Sequence, residues 1–521
     1  MLQAARRLFW SLALVLVASA AGAAELRIGL PTAPTSRDPY YHNIGSNLQF
    51  SEYVYDRLIT RVGGIVSPGL ALSWRVLDPT TWEFVLRQDA SFHDGSPFGA
   101  EDVVASFERA ERVKGPGDGL TAYLRAVKEV VVVGPHIIHI RTHGPYPLLP
   151  SDLSQFAILP RSALMVGAEA VDAGEGIPGT GAFRLVEWRK GVGAVLEANP
   201  SWWGKPTAWD RVTFRYYPDD AERVTALVAG EVDMIAGLPP ADQQRLKAAP
   251  HIRVVNRVAR RVIYLALDQF NASSPFITDK RGEPLARNPF KDTRVRRAIS
   301  KAINRAVLRD QVMEGLAEPA SQLVLSDHQG ASRRQVVERF DLAGARALLA
   351  EAGWGDGFAV TLHCPAGRYV NDEQICQAIG RMMAALGIVV RVESVLPRDF
   401  FAQASLNAYS FMLAGWGTGT GESSYALKGL VATRDAAPGF GPSNFGRYSN
   451  ARLDSLLIQA MSEFDDQRRS ALQEEATDLA LDDQAVIPLH FQMSLWAVRD
   501  TLNFTPSADE FTYAADVTPV R

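Results

Sequence analysis

Along the chain the spacing of apolar positions switches repeatedly between two and 3.6 residues, which predicts a mixed α/β protein. Trp82 to Arg87 alternates as a strand, and Phe92-His93-Asp94-Gly95-Ser96-Pro97 supplies turn chemistry before a helix opening near Gly99. Glu101 and Asp102 stand in that helix's first turn, where the dipole favours anions, and Val103, Val104 and Phe107 form its apolar face. Residues 130–141 read as another strand. Asp219 is placed to cap a helix through Ala229 that stops at Gly230, with Val232 to Ile235 as a short strand after it. Asp292 opens a helix with Val295, Ile299, Ala302 and Ile303 on one stripe, Asn304 caps the next, and Asp341 caps Leu342 to Ala352 ahead of Gly353. Near the C-terminus Leu453, Leu456, Leu457, Ala460, Met461 and Phe464 recur at helical spacing. No internal repeat or long Pro/Ser/Gly tether breaks the pattern, so domain boundaries are expected to be short crossings between lobes.

Composition narrows the class. The 521 residues are 47% hydrophobic and 21% charged, which excludes a disordered or collagen-like chain. With 54 Lys+Arg against 58 Asp+Glu the chain is no strongly basic nucleic-acid binder, and its length predicts two to four domains. Residues 1–24 depart from the rest: Arg6 and Arg7 precede an apolar run from Leu8 to Ala18 and then small residues, the pattern of an export signal cut after Ala23 or Ala24. The general export route is favoured over a twin-arginine one, and no cysteine near the cut offers a lipid anchor. The mature chain then carries 52 basic and 58 acidic residues, net −6, and is expected to be soluble outside the cytoplasm. Cys364 and Cys376 are the only cysteines; in an exported chain a bridge is preferred over two buried thiols, and it would pin a strand–loop–helix unit.

The stretch Leu72-Ser73-Trp74 through Thr81-Trp82-Glu83-Phe84-Val85-Leu86-Arg87, then Phe92-His93-Asp94-Gly95-Ser96-Pro97 and Ala100-Glu101-Asp102-Val103, resembles the signature of family 5 extracellular solute-binding proteins. These are the dipeptide, oligopeptide and nickel-binding components of bacterial ABC importers. Further matching blocks follow in order: Gly179-Thr180-Gly181-Ala182-Phe183, Asn199-Pro200-Ser201-Trp202-Trp203, Gly230-Glu231-Val232-Asp233, Asp292 to Ile299, Ala350 to Trp354, and Gly415-Trp416. Most of these residues supply turns, stops and helix faces, so they mark the fold without naming a ligand.

The resemblance implies an α/β, bilobal periplasmic-binding-protein fold of the three-domain, oligopeptide-binding-like type, closing by a hinge. Domain I would comprise residues 25–65, 178–265 and 488–521, domain II residues 66–177, and domain III residues 266–487. Ile263 to Ala266 and Val486 to Leu489 would be the hinge crossings. It further implies a monomer without a cofactor that binds a peptide-like or other small polar solute and hands it to a permease and ATPase in the inner membrane.

In peptide-binding members an aspartate three residues after the Gly-Trp pair takes the ligand's ammonium group. Here the stretch is Trp416-Gly417-Thr418-Gly419-Thr420-Gly421-Glu422, and Gly419 holds that position. A buried ammonium needs a paired carboxylate to offset its desolvation, so the usual anchor is missing; Glu422 substitutes only if the loop turns it inward. The arginine that dipeptide-binding members place near the start of the helix that here holds Asp372, Glu373 and Gln374 is also missing, although Arg368 stands just before that helix, with Tyr369, Asn371 and Asp372 on the same polar loop. Trp416 offers a flat apolar wall, and Gly417, Thr418 and Thr420 let a ligand approach the backbone closely among hydroxyls. By similarity Asn43, with Tyr40 and His42, would line the pocket. Open alternatives for the solute include blocked peptides, opine-like conjugates, oligosaccharides and metal chelates, nickel being the weaker choice.

Two other classes compete. An exported hydrolase finds no G-x-S-x-G, H-E-x-x-H or Walker sequence, so no catalytic residue is assigned. His136, His139 and His143 lie on and after one strand with no neighbouring carboxylate in sequence, which reads as a solvated strand edge and not a metal site. A sensor presenting its closed form to a membrane receptor would use the same fold.

Overall fold

The computed structural model describes residues 24–62, 64–116 and 119–520, so the expected export signal lies outside them except for Ala24. Among the described residues no helix is long and apolar enough to cross a membrane.

One mixed sheet runs through the molecule. Its main path, in spatial order, is Ile277–Thr278, Ala359–Pro365, Phe411–Gly417, Ile252–Leu267, Ile487–Arg499, Met234–Ala236, Glu25–Leu30, Arg211–Tyr216, Gly193–Ala198 and Phe183–Arg189. Ile252–Leu267 and Ile487–Arg499 pair with each other along most of their length and belong to both halves of the sheet. At one end Met234–Ala236 joins residues 496–498, and at the other Phe411–Gly417 joins residues 261–267. The register slips between Val258 and Val262 and again between Ile263 and Tyr264, so the ladder is interrupted where its outer partners change. A separate four-stranded antiparallel sheet, in the order Ala71–Asp78, Thr81–Leu86, Ile137–Thr142, Val127–Gly134, is covered by the helix Ala100–Arg112.

Local chemistry explains the elements. Asp219 accepts from Glu222 N at 2.9 Å, and Gly230 ends that helix at φ 78°, a left-handed stop that suits glycine. Asp292, Asn304 and Asp341 cap their helices through backbone N–H groups. Two readings need correction. Residues 130–141 are not one strand but a hairpin, Val127–Gly134 and Ile137–Thr142, because Gly134-Pro135 breaks the ladder where proline has no N–H to give. The C-terminal stripe ends as a helix at Ala460, before Phe464, whose ring instead meets Trp82 of the small sheet at 6.0 Å between centroids.

Two buried charged features tie segments together. Arg109 and Asp38, 1% and 0% exposed, form an ion pair between the helix Ala100–Arg112 and the N-terminal segment. Arg109 also donates to Ala163 O at 3.0 Å and Val166 O at 2.8 Å, so its guanidinium is fully engaged. Cys364 and Cys376 are bridged, with Cα atoms 6.5 Å apart, joining the strand Ala359–Pro365 to the helix Asp372–Ala384.

His490 sits in the shared strand Ile487–Arg499, buried, with neither ring nitrogen hydrogen-bonded. Burial pushes its pKa down from 6.5 to about 4. The unfolded imidazole takes a proton below about 6.5 and the folded one only near 4, so stability drops as pH falls between those values. His490→Leu removes this term and two orphaned polar atoms. Thermal melts at pH 7.5 and 4.5 should show a smaller acid-induced drop in Tm for the variant than for the parent, and equal drops would refute the assignment.

Candidate ligand cleft

The strand Phe411–Gly417 ends against the long strand Ile252–Leu267, with Trp416 opposite Val262 and Gly417 opposite Arg261. The chain then turns through residues 418–422 into the helix Ser423–Leu430. The indole of Trp416 lies over Gly429, where a Cβ would come within 2.8 Å of the ring, and against Tyr425 at 5.2 Å between centroids. Tyr425 in turn stacks on Tyr123 at 6.2 Å with hydroxyls 3.4 Å apart; burial raises the pKa of Tyr123, with the Tyr425 hydroxyl and then the Asn43 side chain pulling the other way. This aromatic line joins the 416–430 segment to the part of the chain that carries the small sheet.

Gly419 has a specific neighbour. Gln155 Nε2 donates to Gly419 O at 3.3 Å, and a Cβ at 419 would meet Gln155 Oε1 at 3.3 Å. An aspartate at this position would crowd that amide, so the glutamine occupies the space an ammonium-binding carboxylate would need. Glu422 does turn inward, yet its carboxylate is already held by Gln473 Nε2 at 2.9 Å, Ser424 Oγ at 3.3 Å and Arg469 Nη2 at 3.4 Å. It lines a cavity of about 10 Å³, room for about one water, with Asp152, Tyr146, Lys428 and Thr420. Burial pushes Asp152 up to about 6 against the pull of Lys428, and Tyr146 donates to it at 2.6 Å.

Buried polar atoms without partners concentrate on this loop and the groups around it: Trp416 Nε1, Thr418 Oγ1, Thr420 Oγ1 and Ser423 Oγ, with Arg61 Nη2 and His328 Nε2 beside them. Buried polar atoms are nearly always satisfied in folded proteins; here the indole and guanidinium N–H groups are left with hydrogen bonds to donate and the hydroxyls with hydrogen bonds to give or accept.

The second loop divides. Arg368 keeps solvent contact and has no ion-pair partner among the described residues. Desolvation, and next the neighbouring Arg261 charge, lower its pKa, and its guanidinium lies over the Tyr369 ring, 5.3 Å from the centroid. Tyr369 packs beneath it and donates to Gly415 O at 3.3 Å; a side chain at 415 would strike the Tyr369 ring at 2.8 Å. Arg261 pairs with Glu510 at 2.7 Å, and Gln492 donates to the same carboxylate at 3.0 Å.

Three expected pocket residues, Asp372, Asn371 and Tyr40, are otherwise employed. Asp372 is 3% exposed and accepts from the backbone N–H groups of Gly367, Arg368, Tyr369 and Glu373, so it shapes the loop. Asn371 is left-handed at φ 54° and donates to Val312 O at 2.8 Å. Tyr40 is a core residue, donating to Ala157 O and stacked on Phe156. His42 meets Thr35 Oγ1 at 3.3 Å. On the small sheet, His139 does have a carboxylate beside it: Glu83, 3.1 Å away on the adjacent strand. Among the described residues no group of three or more His, Cys, Asp or Glu is placed to hold a metal.

The model of the middle region of bacterial extracellular solute-binding proteins, family 5, matches residues 66–438. The chain belongs to that family. This family 5 protein is 26% identical over 499 residues to the glutathione-binding protein GsiB of Salmonella typhi, covering 92% of each chain. It is 24% identical over 503 residues to the dipeptide-binding protein of Escherichia coli K12, covering 91% of this chain and 90% of that one. Among solved structures it is similar to the ABC transporter-associated periplasmic binding protein DppA from Helicobacter pylori in complex with the peptide STSA. The TM-score is 0.78 at 23% identity, over 95% of this chain and 98% of that one. The fold of this family 5 protein is therefore the bilobal α/β fold of periplasmic binding proteins.

Proposed function

We propose that this protein is the periplasmic receptor of an ABC importer and captures a peptide-like solute between its lobes. The observation that carries the reading is the concentration of unpartnered buried polar atoms on the 416–423 loop, which also supplies Trp416 to the Trp416–Tyr425–Tyr123 line. Relatives named for glutathione and dipeptide binding support it. An export signal cut near Ala23 or Ala24 would deliver the chain to the periplasm as a monomer, and the closed form would dock on a permease energised by separate ATPase subunits.

Closure would bend the two shared strands. Their outer partners change near Arg261 and Gln492, close to the crossings Ile263 to Ala266 and Val486 to Leu489 that would divide the chain into residues 25–65, 178–265 and 488–521, an inserted 66–177, and 266–487. With Gly419 in the ammonium position, Arg368 is the group we assign to a ligand carboxylate, and Trp416 the wall on which the ligand rests.

Native mass spectrometry of the mature protein, followed by denaturing release, should recover a bound peptide-like adduct. Trp416→Ala should weaken rebinding of that adduct by about tenfold, the scale of an interface aromatic. A protein that is folded, emerges without any adduct and gives no thermal shift with di- or tripeptides would overturn the reading.

A further inference from the structure

Two arginines converge on one point of the cleft without any acid to receive them. Arg61 belongs to the strand Ile59–Val62, and Arg260 to the irregular stretch of the long strand Ile252–Leu267. Arg61 donates from Nη1 to Gly64 O at 2.7 Å and from Nε to Ser154 Oγ at 3.0 Å, while its Nη2 is buried without an acceptor. Arg260 presses on the same glycine: a side chain at Gly64 would collide with its guanidinium. A Cβ at Gly421 would stand 3.1 Å from Arg61 Nη1, so the pair adjoins the ligand loop itself.

Among the described residues neither guanidinium has a carboxylate within ion-pair distance. Glu422, the acid on the adjoining loop, is held by Gln473 and Arg469. Desolvation, and next the charge of Arg260, lower Arg61 to about 10 against the opposing pull of Glu422 and Asp152. His328 completes the cluster: it is buried, its Nδ1 is engaged by Asp327 at 3.0 Å, its Nε2 has no partner, and both arginines are among the charges that depress its pKa. Two like charges held together in a partly desolvated place are unfavourable alone. An anion between them reverses the sign and satisfies the spare N–H groups. The planar guanidinium fork suits a carboxylate in particular.

We propose that Arg61 and Arg260 form an anion subsite, distinct from Arg368, that takes a second carboxylate of the solute, so the preferred ligands are acidic peptide-like molecules. This rests on the reading of the cleft as a peptide-like solute site, and the two are separated by calorimetric titration of the mature protein with Ala-Glu-Ala, Ala-Gln-Ala and glutarate. Ala-Glu-Ala should bind at least tenfold tighter than Ala-Gln-Ala. Arg260→Gln, which removes no hydrogen bond within the described protein, should bring that ratio close to one with the Tm retained; if that variant does not fold, loss of the same preference at high salt in the parent serves instead. Equal affinities for the two tripeptides overturn the anion subsite and leave the peptide reading standing. If neither tripeptide binds, the peptide reading falls, and glutarate decides the subsite: binding to the parent but not to Arg260→Gln upholds it, and no binding overturns it.

Discussion

Arg109→Met is expected to cost about 3–5 kcal/mol of folding stability, the range for leaving one member of a buried ion pair without its partner. Asp38 is fully buried and accepts from both Arg109 nitrogens and from Tyr40 N at 2.9 Å. Methionine fills much of the volume and supplies no charge, so the carboxylate must either stay ionised in a dry place or take up a proton. The distinguishing measurement is the double variant. Asp38→Asn combined with Arg109→Met leaves no buried charge and should recover at least half of the loss in urea-unfolding free energy. A double variant as unstable as Arg109→Met alone would mean that the lost bonds to Ala163 and Val166, and not the stranded charge, set the cost.

The second large effect concerns the bridge between Cys364 and Cys376, which closes a loop at a sequence separation of 12. By chain entropy, removing it with paired alanines should cost about 3 kcal/mol. The loop it closes contains Arg368 and Tyr369, so the loss should reach ligand binding as well as stability: the variant would weaken binding of a co-purified solute while keeping the fold at low denaturant. Unfolding with and without a reductant gives the check. A parent whose urea midpoint does not move on full reduction would show that the bridge contributes nothing.

How much of this was legible in the sequence depends on how far each signal reaches. Caps and stops such as Asp219 and Gly230 act within a few residues, and they read correctly. Gly134-Pro135 is equally local, and its turn was overridden by the apolar residues on either side. The family blocks identified the fold, and the Gly-Trp pair pointed to the loop now proposed to contact the ligand. Gly419 was visible as a departure, yet its reason, Gln155, stands 264 residues earlier. Asp372 and Asn371 have the composition of ligand-contact residues, and only the backbone they bind shows that they are loop architecture. Arg61 and Arg260 gave no signal at all, because what distinguishes them is a missing acid, and absence of a partner is a property of three-dimensional surroundings.

The shared strands have a consequence for how the molecule comes to exist. The inner pair of the large sheet joins residues 252–267 to residues 487–499, and Glu25–Leu30 waits for partners at residues 211–216 and 234–235. Contacts of such separation form late and slowly, because a long loop must be closed before any of them is rewarded. Neither half of the sheet can be completed until residues 487–499 have left the ribosome, so the nascent chain lacks its full sheet for nearly all of its synthesis.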